Sequence, residues 1–209
     1  MSKWTDTGGF APLVHAFPMH LSEDVHAVTR VMPTVDRFPF ANGSVFRKYV
    51  VFVDGECLAI PNRLYNEEPS PKAATGLSHL QQAVMHCIYT RHHDGFVRQR
   101  HVSALLSRDD PWVIPYIVTL IGEYVLEIIQ LIQQGLPDLE QSGSAARVRY
   151  GKFAAENHEF IDLTRQRVRS YWDCYYRDQY PDEEMYPGYQ LVRAIRNAGL
   201  EYENERQQM

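Results

Sequence analysis

Two carboxylates four residues apart, Glu123 and Glu127, stand in the most apolar stretch of this sequence. On a helical wheel they share a narrow strip with Tyr116, Thr119, Gln130 and Gln134, because residues at i and i+4 face the same way. Such a strip has two readings. It is a seam open to water, or it lines a cleft where burial raises carboxyl pKa values and suits general acid or base chemistry.

Histidines supply the next candidates. His79, His86 and His93 recur every seven residues, with His92 and His101 close by in sequence. Two imidazoles on one helix reach a shared metal ion when they lie three or four residues apart. Seven residues is roughly 10 Å of helical rise, so this stripe reads as a solvated face rather than a ligand set. His79, His86, His93 and Asp94 are the residues from which a metal site would have to be drawn.

The densest basic run is 91–101, Arg-His-His-Asp-Gly-Phe-Val-Arg-Gln-Arg-His. Arg91, Arg98 and Arg100 lie at a helix-to-helix corner, where free N–H groups of a helix start help to hold an anion. The competing reading pairs these arginines with Asp94, Asp109 or Asp110 in weak surface ion pairs. Further on, Tyr171, Trp172, Tyr175, Tyr176, Tyr180, Tyr186 and Tyr189 form an aromatic-rich stretch. Tyrosines suit a surface that is dry at one end and wet at the other, so Tyr176 joins the binding candidates. Tyrosines that close the core are the alternative. Interleaved Asp173, Asp178, Asp182, Glu183 and Glu184 argue against nucleic acid.

The His93-Asp94 pair in a helical setting resembles the HD-type metal-dependent phosphohydrolases. That resemblance implies one or two bound metals held by His93, Asp94 and His79 or His86, with Glu123 or Glu127 assisting. In that family the dyad follows an apolar helix segment; here Tyr89-Thr90-Arg91-His92 precede it and Gly95 breaks the helix directly after. The fragment Asp94-Gly95-Phe96-Val97-Arg98 with Leu105 and Leu106 also resembles one helix of a HEAT-type repeat, but it does not recur. Motifs for an acyl-transfer serine, a phosphate-cradling loop or a dinucleotide turn are missing.

The elements that position these residues follow from periodicity. Residues 1–43 are broken by Gly and Pro and read as an irregular arm with one short helix over 22–31. In 44–61, two β-branched and aromatic runs flank Asp54-Gly55, the strongest short-range hairpin signal. From 75 to 199 the pattern is helical. One face combines Leu77, Leu80, Ala83, Val84, Cys87 and Ile88, and a short helix follows from Phe96. A helix from Pro111 to Gln134 is apolar nearly all round between Trp112 and Ile132. A long one runs from Ser144 to about Tyr176 on a stripe of Phe153, Phe160, Leu163, Val168, Tyr171 and Tyr175. The last spans Tyr189 to Asn197 and ends at Gly199, leaving 200–209 as a flexible tail.

The expected fold is therefore a single mainly-α domain, four to five helices around a central apolar helix, with one β-hairpin. With 209 residues and 44% hydrophobic content, a sizeable core is within reach. A net charge of −5 gives no support to nucleic-acid binding. Cys57, Cys87 and Cys174 are scattered and odd in number, as expected for reduced thiols in the cytoplasm. Glu123 and Glu127 make Trp112–Ile132 a poor membrane span. No cofactor is expected. The leading expectation is a binding or regulatory protein acting through protein or small-anion contacts. The phosphohydrolase and a structural oligomer joined by the hairpin edge are the alternatives.

Overall fold

The computed structural model describes residues 11–33 and 48–208. The ends of the expected arm at 1–10 and 34–43, and the first residues of the hairpin stretch at 44–47, lie outside the described residues. Within the described part, the arm is more regular than its prolines suggest. A 3-10 stretch at Ala11–Ala16 leads through Met19–Leu21 into helix α1, Ser22–Val31, which buries Val25 and Val28.

Strands β1 (Lys48–Val53) and β2 (Glu56–Pro61) form the expected hairpin, with Val53 opposite Glu56. Asp54 and Gly55 both take positive φ, 51° and 84°, as a two-residue type I′ turn requires. An isolated hairpin is marginal in water, and this one docks. Tyr49, Val51 and Val53 on β1 and Leu58 and Ile60 on β2 point into the core. The backbone N–H of Phe52 donates to Asn157 Oδ1 at 2.7 Å, and Phe52 C=O accepts from Asn157 Nδ2 at 2.8 Å. At Phe52, then, the strand edge that a second copy would need is already occupied.

Helices α2 (Pro71–Thr75) and α3 (His79–Tyr89) follow. Ser78 and Gln81 cap α3 reciprocally, the arrangement that satisfies two free N–H groups at once. Leu77, Ala83, Val84, Cys87 and Ile88 are buried, as the wheel predicts. Asp94 caps the next helix, α4 (Gly95–Ser103).

The central rod is two helices, not one. α5, Ile114–Ile121, has every residue buried, and α6 runs Leu126–Gly135. Between them the chain turns at Gly122, where a Cβ would meet Thr164 Cγ2 at 3.4 Å and Arg167 Cδ at 3.6 Å. This break turns Glu123 inward while Glu127 stays on the surface, so the two carboxylates do not share a face.

The long helix is likewise divided, into α7 (Ala145–Glu156) and α8 (His158–Tyr171), at Asn157. A wider π-type turn, Trp172–Tyr176, ends α8. Its i→i+5 bonding rotates side chains off the 100° wheel. As a result Tyr175 is 67% exposed while Tyr176 stacks on buried Tyr186 at 5.4 Å. Leu163, expected on the apolar stripe, is also exposed.

Helix α9, Pro187–Gln207, continues through Gly199 and takes in most of the expected tail. Gly199 is a packing residue rather than a stop. A Cβ there would stand 2.9 Å from Ala154 Cβ, and one at Gly151 would stand 2.6 Å from Ala198 O. Small residues on α7 and α9 thus bring the two backbones together. Among the described residues no helix is long and apolar enough to cross a membrane.

Candidate functional site

The turn after α5 carries Glu123 into the interior, and three arginines converge on its carboxylate. Arg63 Nη1 donates to Oε1 at 2.6 Å and Arg91 Nη2 to the same oxygen at 3.1 Å. Arg98 Nε lies 3.0 Å from Oε2, an ion pair whose alignment falls short of a hydrogen bond. Arg91 and Arg98 are 0% and 1% exposed, and Glu123 4%. Among the described residues these arginines form no ion pair with a second carboxylate, which leaves three guanidiniums to one carboxylate there.

Local structure explains why arginine serves here. The corner between α3 and α4 leaves carbonyls without helical partners. Arg91 donates to Pro61 O, Thr90 O and Asn62 O at 3.2, 3.3 and 2.7 Å, and Arg98 Nη1 to His92 O and His93 O at 2.9 Å each. A planar fork with five donors can serve several carbonyls and one carboxylate together. Arg98 Nη2 is buried and has no hydrogen-bond partner among the described residues.

Burial by itself would push the Glu123 carboxyl up, but Arg91, Arg63 and Arg98 together hold it below the usual carboxylate range. The expectation of a raised, proton-donating Glu123 is reversed for that reason. Burial lowers the pKa of Arg91, and neighbouring Arg63 adds to this. Arg63 moves the other way: burial opposes it, yet the bond to Glu123 raises it.

This centre has an open rim. The Arg63 side chain is 27% exposed, and Arg167 on α8 is half-buried. Arg167 meets Tyr49, whose hydroxyl donates to Asn62 Oδ1 at 2.8 Å and accepts from Arg167 Nη1, and Tyr49 lies near enough to Arg63 to help raise its pKa. The guanidiniums of Arg91 and Arg167 lie over the Tyr49 ring at 5.7 and 5.1 Å, in cation–π range. Beyond Arg167, Tyr171 continues the same side of α8 and packs against exposed Tyr124 at 5.9 Å.

The remaining sequence candidates fall into other roles. Arg100 is exposed and pairs with Glu68, not with an aspartate of its own corner. Tyr176 donates to Tyr124 O and packs inward. His79 is exposed at the start of α3. His93 stacks on Tyr65 at 5.4 Å, and Asp94 Oδ1 accepts from the Phe96 N–H at 2.8 Å as a helix cap. His86 Nδ1 meets His101 Nδ1 at 2.9 Å, and His101 Nε2 meets Glu68 Oε1 at 2.7 Å. Among the described residues no three His, Cys, Asp or Glu side chains are grouped to hold a metal. The resemblance to HD phosphohydrolases gains no ligand set from these positions. Cys87 is buried, which pushes its thiol well up.

Sequence reasoning missed Arg63, Arg167 and Tyr49. Arg63 follows Pro61-Asn62 outside any periodic element, and Arg167 is one of several arginines on α8. No spacing rule connects either to Glu123. Comparison with protein-family models, characterised proteins and solved structures finds no match for this chain.

Proposed function

We propose that this protein is a binding protein that takes an anionic group of its ligand or partner on the rim formed by Arg63, Arg167 and the Tyr49 hydroxyl. One observation carries this reading: a buried centre in which three arginines meet one carboxylate. Buried charge without a counterion costs several kcal/mol, and the helix-end carbonyls offset only part of it. An anion at the rim supplies the missing charge. The adjoining Tyr171 and Tyr124 offer rings for an aromatic or apolar part of the same ligand.

Nothing in this role needs a metal, a nucleophile or a titrating acid. The scattered thiols support a cytoplasmic setting, where such ligands as phosphate esters and carboxylates abound.

Isothermal titration with inorganic phosphate, at low ionic strength, tests the reading. Wild-type protein is expected to bind one phosphate per chain. Arg63→Gln and Arg167→Gln should each weaken binding about tenfold, the loss of one charge-assisted contact. Absence of binding to the wild type, or binding by both variants as tight as that of the wild type, would remove this function.

A further inference from the structure

A second group of polar side chains lies between α3 and α4, outside the arginine centre. The two helices pack on one another, and His86 of α3 and His101 of α4 bring their Nδ1 atoms to 2.9 Å. Their ring centroids stand 4.9 Å apart. His101 is buried and stacks on Tyr89 at 5.1 Å, while His86 is half-buried. On its far side, His101 Nε2 meets Glu68 Oε1 at 2.7 Å. Arg100 holds the other Glu68 oxygen in an ion pair.

Donor and acceptor rules fix the protons of this chain of groups. Ionised Glu68 can only accept, so His101 carries its proton on Nε2 and presents a lone pair at Nδ1. A carboxylate on the outer nitrogen is the usual support of a metal-bound imidazole, because it sets the tautomer and raises the ring's basicity. As the pair stands, His86 donates its Nδ1–H to the His101 lone pair. Moving that proton to His86 Nε2 turns a second Nδ1 lone pair toward the same place. Two nitrogens about 2.0–2.1 Å from one ion and at right angles around it stand roughly 2.9 Å apart, and tetrahedral ones about 3.3–3.4 Å. The 2.9 Å found here matches the first, and the second lies a few tenths of an ångström away.

We propose that His86 Nδ1 and His101 Nδ1 form a two-histidine site for a divalent transition-metal ion of the nickel–zinc class, with Glu68 as the carboxylate behind His101. The site does not depend on the anion-binding reading. Of the residues from which the sequence would draw a metal site, only His86 takes part. The ion exchanges two of its waters for two imidazole nitrogens. The His86 proton passes through solvent from Nδ1 to Nε2, so the protein releases none. Among the described residues no third His, Cys, Asp or Glu side chain joins the pair, and water completes the coordination. Neutral imidazole selects this class over hard ions such as magnesium, which prefer oxygen. Because its two ligands come from different helices, a bound ion ties α3 to α4.

Isothermal titration of the full chain with nickel chloride, near neutral pH, tests the site. One ion per chain is expected, with a heat that stays the same in buffers of different ionisation enthalpy. Binding at the exposed thiols of Cys57 or Cys174 would release protons and make that heat buffer-dependent. His86→Gln and His101→Gln should each remove the binding, whereas exposed His79→Gln should bind as the wild type does. Glu68→Ala should weaken binding about tenfold, as loss of the carboxylate behind a ligating histidine does. Anomalous diffraction from wild-type crystals soaked in nickel chloride keeps the test open should the histidine variants fail to fold. A peak about 2.0–2.1 Å from both Nδ1 atoms is expected. Wild-type protein that binds no nickel, histidine variants that bind it as tightly as the wild type, a buffer-dependent heat, or a peak only at other residues would overturn the site. Unchanged affinity in Glu68→Ala would overturn the part given to Glu68.

Discussion

Arg98 Nε stands 3.0 Å from Glu123 Oε2 in the interior of the protein, and the Arg98 terminal nitrogen Nη2 has no hydrogen-bond partner among the described residues. One carboxylate is thus shared by more positive charge than it can neutralise. Charge-paired interiors are expensive to break: removing one partner leaves the other buried and uncompensated.

Glu123→Ala should therefore lower unfolding free energy by about 3–5 kcal/mol. Added sulfate should recover part of the loss by standing in for the missing carboxylate. Urea denaturation with and without sulfate measures both effects.

Arg91→Lys keeps the charge but replaces a fork that donates to three carbonyls and Glu123. A single ammonium cannot reach them all. The expected cost is about 2–4 kcal/mol by the same denaturation, since buried donors and acceptors lose their partners. Exposed Arg100→Lys should stay within about 0.5 kcal/mol.

Asn157→Ala unfastens both backbone groups of Phe52 and one from Phe153 O. A loss of roughly 1–3 kcal/mol is expected, with faster amide exchange in β1.

Stability should also depend on pH through His86. Its folded-state value lies near 4, below the ordinary 6.5. The unfolded chain therefore takes up a proton first as pH falls, and stability present above about 6.5 is lost progressively toward 4. Thermal melts at pH 7 and 5 should differ more for wild type than for His86→Gln.

Which elements were legible in the sequence has a physical pattern. The hairpin was, because Asp54-Gly55 sets its own φ angles. The apolar face of α3 was, because burial there follows a straight wheel. Gly122 and Asn157 were not, since each breaks a helix to suit a distant partner: α8 against the first, Phe52 against the second. Gly199 reads as a stop by local rules, yet it lies inside α9, where Ala154 leaves room only for hydrogen. For the site, Arg91 and Arg98 stood out as a basic run, but their burial on Glu123 required the turn at Gly122. Arg63 and Arg167 carry no local signal at all.

The α7–α9 contact gives a further test. Gly151→Val would push a side chain into Ala198 O, already 2.6 Å from an ideal Cβ. Overpacking of this kind costs about 1–3 kcal/mol, more where backbone must move, and a lowered melting temperature would report it.

The surplus positive charge at the rim can be located directly by anomalous diffraction from crystals soaked in selenate. A selenium peak within ion-pair reach of Arg63 and Arg167, beside the Tyr49 hydroxyl, is the expected result. Peaks confined to other surface cations such as Lys72 or Arg100, with none at that rim, would contradict it.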